Sequence, residues 1–319
     1  MEDGMAEDIL KTKEFRCGRV ALIGPPNAGK STLLNTILGK KLAIVSHRPQ
    51  TTRNQISGIL SCPDFQVVFL DTPGVHRKRG TLNKLLVRMA WQSVASANVV
   101  ALIVDSRHCL VKNGTFESEV QPLLREIMGT GLPACVVLNK VDLVGVKSSL
   151  LPLLQQIGAM LLGVECFLVS ALQSEGLDPL LDWLVVRLPK QPALFPYDQI
   201  STAPLRFLVA EIIREKLFLQ LREELPYSIA VDVELWEEDV LRGFTRINVV
   251  IYVAREGHKA IVIGTRGQGL KAAGSAARPE IEALLGQRVY LGLWVKVRTG
   301  WNEDERFMQT LVLGEQEGT

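Results

Sequence analysis

Cysteine is sparse and unpatterned in this sequence. Its five residues, Cys17, Cys62, Cys109, Cys135 and Cys166, are odd in number and scattered, with no CxxC spacing. That argues against a disulfide framework or a zinc site and fits a reducing cytoplasm. Histidine is scarcer still: His47, His76, His108 and His258 are too dispersed for a metal cluster, and no catalytic role is expected of them. Long apolar runs are also missing. A stretch such as 99–104, VVALIV, falls far short of the roughly 20 residues needed to cross a bilayer. Residues 1–13 are charged and lack the apolar core of a secretory signal. No internal repeat or low-complexity tract is visible. What remains is ordinary globular composition, 47% hydrophobic and 22% charged over 319 residues, enough for two domains of roughly 100–200 residues each.

The net charge of +2 conceals a local asymmetry. Between His258 and Gly300 stand Lys259, Arg266, Lys271, Arg278, Arg288, Lys296 and Arg298 against Glu280 and Glu282, seven cations to two anions. Such an excess suits either a polyanion partner or a solvated basic face.

Residues 18–190 alternate apolar strand candidates with amphipathic helical patterns. Strands are expected at Arg19–Ile23, Ile56–Ser61, Gln66–Asp71, Val99–Asp105, Ala134–Asn139 and Cys166–Ser170. Helices are expected at Lys30–Leu38, Leu82–Ser96, Glu117–Gly129, Ser148–Leu162 and Gly176–Leu188. Near-continuous apolar strands separated by helices predict a doubly wound, mostly parallel α/β domain. Three prolines between Pro189 and Pro196 predict an extended linker. Beyond it the pattern becomes α-β-β-α-α-β: a helix over Pro204–Arg222, strands over Tyr227–Glu237 and Arg242–Ala254, a glycine-interrupted helix pair around Gly264, and a strand over Arg288–Val297. The expected division is a first domain over 14–190, a linker over 191–201 and an α+β domain over 202–319.

Gly24-Pro25-Pro26-Asn27-Ala28-Gly29-Lys30-Ser31, followed by Thr32, matches GxxxxGK[ST] between a strand and a helix. Successive backbone N–H groups at a helix N-terminus make an anion cradle. Lys30 would reach the β- and γ-phosphates, and the Ser31 hydroxyl would ligate Mg²⁺. Asp71-Thr72-Pro73-Gly74 ends the next expected parallel strand, so Asp71 could hold Mg²⁺ through water and the Gly74 amide could sense a γ-phosphate. Asn139-Lys140-Val141-Asp142 follows another strand. There Asp142 can accept from guanine N1–H and N2–H₂, donors that adenine lacks, and the wrong base would leave those acceptors unpaired. Lys140 would cover a face of the base, Asn139 would brace the loops, and Ser170-Ala171-Leu172 would bring a backbone N–H near guanine O6. Between the first helix and second strand, His47-Arg48-Pro49-Gln50-Thr51-Thr52-Arg53-Asn54 is a polar loop. Thr52, with Thr51 as the alternative, would complete Mg²⁺ coordination when a γ-phosphate is present. These four elements predict GTP and GDP as ligands, with Lys30, Thr52 and Gly74 closest to the chemistry. The Asn139–Asp142 run disfavours a P-loop kinase or ATPase.

In the second domain, Gly264-Thr265-Arg266-Gly267 is a GxxG loop between helical stretches, able to clamp about four nucleotides of a single strand. Arg266 and Lys271 would contact phosphate, and Ile261, Val262 and Ile263 would form an apolar wall. Trp236, Trp294 and Trp301 are expected in the core or at its rim.

With these motifs assembled, the chain resembles the Era family of bacterial GTPases, in the translation-factor-related class, from about Gly18 to Lys296. The PQTTR run of the polar loop belongs to that likeness. So does the run from Ile261 to Val297, which resembles the family's type II KH segment, with Gln268 and Gly269 a modest departure. The resemblance implies a P-loop GTPase domain followed by a type II KH domain. It further implies a monomer that binds the 3′ end of 16S ribosomal RNA through Ile263, Gly264, Thr265, Arg266, Gly267 and Lys271, in small-subunit assembly. Many small GTPases place a water-orienting glutamine after the switch glycine; here Val75 stands there, a hydrophobic replacement the family shares. Asn27 resembles the asparagine that ligates K⁺ in potassium-activated GTPases, which suggests K⁺ activation. No arginine finger is evident, and slow intrinsic turnover is expected. Peripheral membrane association is also implied by the resemblance, so the alternative reading is a signalling or membrane-associated GTPase whose C-terminal domain docks protein or lipid.

Overall fold

The structure, a computed structural model, describes residues 15–43, 56–75, 81–112, 114–160, 164–239, 243–301, 304 and 307. Thr51, Thr52, His47 and His76 lie outside the described residues.

The first sheet has six strands: β1 (Arg16–Ile23), β2 (Ile56–Cys62), β3 (Phe65–Asp71), β4 (Val99–Asp105), β5 (Ala134–Asn139) and β6 (Glu165–Leu168). Their order is β2-β3-β1-β4-β5-β6. All neighbouring pairs are parallel except β2 and β3, which form an antiparallel hairpin. The apolar runs are continuous because both faces are covered. Val20 and Leu22 of β1 join one core with Val99, Ala101 and Ile103 of β4, while Ala21 and Ile23 join the opposite core with Val100, Leu102 and Val104.

The helices of this domain are α1 (Lys30–Leu38), α2 (Thr81–Ala95), α3 (Ser106–Val111), α4 (Gln121–Met128), α5 (Leu151–Met160) and α6 (Leu177–Val186). Two differ from the sequence pattern for one reason. The helix expected from Glu117 begins as a π-turn over Phe116–Val120 and becomes α-helical at Gln121, with Pro122 in its first turn. The one expected from Ser148 starts as a 3₁₀ turn over Lys147–Leu150, with Pro152 second in α5. Proline lacks an N–H, a loss that costs nothing only in a helix's first turn, so it sets where the α-helix starts. Helix α3 was not anticipated; six residues are too few for a periodic signal.

The second sheet holds β7 (Ile229–Asp239), β8 (Phe244–Val253) and β9 (Arg288–Val297), with β7 antiparallel and β9 parallel to β8. Against it pack α7 (Leu205–Gln220), α8 (Glu256–Ile263) and α9 (Gln268–Leu285). The α-β-β-α-α-β order and mixed three-stranded sheet are those of a type II KH domain. The strand expected from Tyr227 begins at Ile229, because Leu225–Ser228 closes as a 3₁₀ turn.

The proline-rich connection was expected to be extended; it bends at Leu194 and Phe195 and turns at Tyr197–Asp198, where the Gln199 N–H donates to Pro196 O (3.1 Å), and it is bound to the first domain. The Cys17 N–H donates to Pro189 O (3.0 Å), and the Ile59 N–H donates to Ile200 O (2.9 Å) beside an antiparallel bridge between Gly58 and Ser201. Buried Gln66 in β3 holds it from beneath. Its Oε1 accepts from Leu194 N (2.8 Å) and Phe195 N (3.0 Å), and its Nε2 donates to Phe195 O (2.9 Å). Phe207 and Leu208 of α7 then pack into the core of the first domain. Among the described residues no helix is long and apolar enough to cross a membrane.

Candidate functional site

The nucleotide motifs gather at the C-terminal ends of β1, β3, β4 and β5, where a strand order that reverses around β1 and β4 leaves a crevice. Helix α1 opens at Lys30 from Gly29, whose φ of 94° is left-handed and which brings no side chain of its own to cap the first turn. A helix start following a glycine turn is where main-chain amides favour an anion. A Cβ on Gly29 would lie 2.2 Å from Asn139 Nδ2, so conformation and close approach both demand glycine. Lys30 is buried, and its ammonium donates to Gly24 O (3.0 Å) and Pro25 O (2.9 Å), the carbonyls framing the loop. Burial pulls Lys30 down to about 8, opposed by the charge of Asp71 and reinforced by Lys140. Ala28 is fully buried, Asn27 is half-buried with φ 62°, and Thr32 follows Ser31 inside the first turn.

Ser31 Oγ donates to Asp71 Oδ2 at 2.7 Å, with both residues buried. A hydroxyl and a carboxylate converging beside an anion cradle are the hard oxygen donors that Mg²⁺ prefers. Just after them Thr72 Oγ1 donates to Leu22 O (2.7 Å), fastening β3 to β1. Gly74 lies against the phosphate loop: a Cβ there would come within 2.7 Å of Pro26 Cα. The Val75 N–H donates to Gly24 O (3.1 Å), and the Val75 side chain packs against the core.

Asn139 joins three loops. Buried at the end of β5, it donates from Nδ2 to Ala28 O (2.9 Å) and accepts the Ala171 N–H on Oδ1 (3.0 Å). Ser170 Oγ donates to Asp142 Oδ1 (2.7 Å), orienting the carboxylate, and Leu172 stands exposed beside it. Lys140 adopts φ 63° and pairs with Asp105 Oδ2 at 2.6 Å.

Two residues here escaped the sequence reading. Asp105 sets the Lys140 ammonium and also caps α3 by accepting the His108 N–H (2.9 Å). Thr36 Oγ1 donates to Ala171 O (2.7 Å), tying α1 to the Ser170–Leu172 turn. Asp105 had a signal: it ends β4 opposite Asn139, in the position Asp71 takes on β3. Thr36 had none. Burial raises all five described thiols, Cys109 to about 12, so none is poised as a nucleophile.

In the second domain α8 ends at Gly264 (φ 71°, ψ 175°), the chain turns through Arg266 (φ 52°) and Gly267 (φ 77°), and α9 begins at Gln268. Thr265, Arg266 and Lys271 are exposed. Gly269, read from the sequence as a modest departure, has a steric reason: a Cβ there would meet Val262 O at 2.6 Å and Ile263 O at 3.0 Å. The apolar wall is narrower than expected, because Val262 is wholly buried in the core and only half-buried Ile263 and exposed Ile261 border the loop. Of the seven cations, Lys259 pairs with Glu256 (4.0 Å), Lys296 with Glu234 (2.5 Å) and Arg298 with Asp304 (2.8 Å). Arg266, Lys271, Arg278 and Arg288 are exposed, with no ion pair among the described residues. Trp301 is buried, while Trp236 Nε1 donates to Glu238 and Trp294 Nε1 to Glu234. No group of three or more His, Cys, Asp or Glu able to hold a metal occurs among the described residues.

This fold and loop set define a P-loop GTPase domain joined to a KH domain. A family profile described as "50S ribosome-binding GTPase" matches residues 19–140, and one described as "KH domain" matches 224–302. GTPase Era of Nitratidesulfovibrio vulgaris (strain DP4) is 53% identical over 302 residues, 95% of this chain and 98% of its own. GTPase Era of Syntrophus aciditrophicus (strain SB) is 41% identical over 295 residues, 92% of this chain and 94% of its own. The crystal structure of an Aquifex aeolicus Era variant bound to GDP·AlF₄⁻ is similar at TM-score 0.85 and 37% identity, over 93% of this chain and 99% of that one. An Era structure in complex with MgGDPNP and nucleotides 1506–1542 of 16S ribosomal RNA matches at the same score and identity, over 93% and 98%. The chain belongs to the Era family of GTPases.

Proposed function

We propose that this GTPase binds GTP and GDP with Mg²⁺ at the ends of β1, β3 and β5. In the same reading its KH domain binds the 3′ end of 16S ribosomal RNA during assembly of the small ribosomal subunit. The observation that carries the nucleotide half is the Asn139 bridge, which draws the phosphate loop at Ala28 and the turn at Ala171 onto one side chain. With those loops held, the Asp142 carboxylate, oriented by Ser170, is the acceptor pair for guanine N1–H and N2–H₂. Lys140, steadied by Asp105, covers the base, and the turn through Ser170, Ala171 and Leu172 supplies the backbone near O6. The Gly24–Gly29 loop with the amides of Lys30, Ser31 and Thr32 cradles phosphate. Lys30 leaves the loop carbonyls for the β- and γ-phosphates, and the Gly74 amide reports the γ-phosphate.

Ser31, Asp71 through water, and Thr52 would hold Mg²⁺, which when bound neutralises charge on the β- and γ-phosphates. The Val75 side chain cannot orient water by hydrogen bonding, and in this reading Asn27 of the phosphate loop would hold K⁺. Hydrolysis faster in K⁺ than in Na⁺ at equal ionic strength is the expected result; equal rates refute that role.

The RNA half is supported by the exposed Gly264–Gly267 loop with Arg266 and Lys271, and by the RNA-bound relative. Its test is titration of a 16S 3′-end oligonucleotide into the full chain loaded with GDP or a non-hydrolysable GTP analogue. Binding that falls steeply with salt and weakens in Arg266→Glu is expected. No binding in either state overturns the reading, and binding to anionic vesicles without RNA binding favours membrane docking instead.

A further inference from the structure

Helix α1 has two ends with different surroundings. Its N-terminus carries Lys30 and Ser31 at the phosphate cradle. Nine residues later it closes at Gly39 in a left-handed turn. The chain beyond is fastened back to the helix by one side chain: Asn35 Oδ1 accepts the N–H groups of Leu42 and Ala43 (2.9 Å each), and its Nδ2 donates to Ala43 O (2.8 Å). Residues 41–43 therefore move with α1.

From that fastened turn Lys41 reaches into the KH domain. Its ammonium lies 2.8 Å from Glu215 Oε2 on α7 and 3.1 Å from Glu280 Oε2 on α9. Lys216 also donates to Glu280, so that carboxylate has a cation from its own domain. Glu215 does not share this security. Its side chain is only 5% exposed, and Lys41 supplies its ion pair from across the domain boundary. One turn earlier on α7, buried Glu211 is neutralised within its own helix by a two-pronged contact with Arg214 (2.6 and 2.7 Å). Of these two buried carboxylates, one is balanced locally and the other only while the domains keep this arrangement.

A carboxylate that loses its counter-charge while remaining buried is strongly unfavourable. Any arrangement that withdraws Lys41 must hydrate or protonate Glu215. We propose that Lys41 is the counter-charge that buried Glu215 requires for the KH domain to sit against the GTPase domain in this arrangement, and that α1 makes that charge rigid with the phosphate cradle. The position of the KH domain is then referred to the nucleotide site through α1 and the charge of Lys41, alongside the apolar seat of Phe207 and Leu208 in the first domain's core. This goes beyond the GTPase and RNA-binding reading; only the RNA measurement below rests on that reading.

The experiment compares the full chain with Lys41→Ala, Glu215→Gln and the double variant, by small-angle X-ray scattering with GDP bound. Lys41→Ala strands the carboxylate, so its scattering profile shifts towards a larger radius of gyration. Glu215→Gln removes the charge that needs a partner and keeps the wild-type profile. The double variant returns to the wild-type profile, which no general loss of packing would do. Unchanged GDP affinity in all three shows that the nucleotide site is intact. A Lys41→Ala profile superimposable on wild type overturns the proposal, as does a double variant as expanded as Lys41→Ala. Where Lys41→Ala fails to fold, Lys41→Gln combined with Glu215→Gln takes its place, and it must keep the wild-type profile. In the second measurement, the ratio of RNA affinities between GTP-analogue and GDP states falls in Lys41→Ala to less than half its wild-type value. RNA that binds no form of the protein would refute the RNA reading and leave the scattering result to decide the ion pair.

Discussion

Asn139→Ala removes two hydrogen bonds that no neighbouring side chain replaces. The buried Ala28 carbonyl loses the Nδ2 donor at 2.9 Å, and the buried Ala171 amide loses the Oδ1 acceptor at 3.0 Å. Each stranded main-chain group costs about 1–3 kcal/mol, so the pair costs roughly 2–6 kcal/mol. Both groups belong to loops that enclose the nucleotide, so the loss is felt in ligand affinity as well as in folding. At about 1.4 kcal/mol per tenfold, even the lower figure is roughly a 30-fold rise in Kd. Where the cost falls on folding instead, the same 2 kcal/mol lowers the melting midpoint of a domain this size by about 4–8 °C. The assay is titration with a fluorescent GDP at fixed Mg²⁺, alongside thermal denaturation without nucleotide. Asn139→Asp is the informative companion: it keeps the acceptor for Ala171 but sets a carboxylate against the Ala28 carbonyl, and should be at least as damaging. A Kd within about threefold of wild type for Asn139→Ala, with an unshifted midpoint, would refute the bridging role.

Nucleotide affinity should fall as pH rises through about 8, because burial holds the empty-site Lys30 near that value and bound phosphates favour its charged form. Calorimetry at pH 8.5 in buffers of different ionisation enthalpy should register proton uptake, and an absence of buffer dependence would contradict this. Gly269→Ala should cut RNA affinity at least roughly tenfold while leaving GTP hydrolysis unchanged, since its Cβ would press on the Val262 carbonyl at 2.6 Å and displace the loop; filter binding and phosphate release measure the two. Gln66→Leu should lower stability by about 2–4 kcal/mol, because the Leu194 and Phe195 amides are left without their acceptor. Urea midpoints and faster proteolysis within 190–200 are the readouts.

The nucleotide site was legible because its chemistry is local. Each motif is a short run at the C-terminal end of one strand, and Lys30, Asp71, Asn139 and Asp142 are recognisable from neighbours within eight residues. The long-range partners were not. Thr36 and Gln66 sit in unremarkable stretches, Asp105 is marked only by ending β4, and the roles of all three exist only once Ala171, Leu194 and Lys140 are brought beside them from 135, 128 and 35 residues away. Gly269 looked like a deviation in the sequence, and only the approach of α9 to the end of α8 explains it. Helix starts failed where Pro122 and Pro152 set the first turn, a boundary that periodicity blurs. The sevenfold basic stretch read as one surface; three of its members are spent on carboxylates nearby.

The segment alongside β2 carries a practical consequence. Ile200, Ser201 and Thr202 lie along this outermost strand, bonding to Ile59 and Ser57, and so occupy hydrogen-bonding groups that a foreign chain could otherwise recruit. A fragment cut at Lys190 would bare that margin and invite self-association through it. A fragment continuing past Ala203 would keep its own covering and stay dispersed.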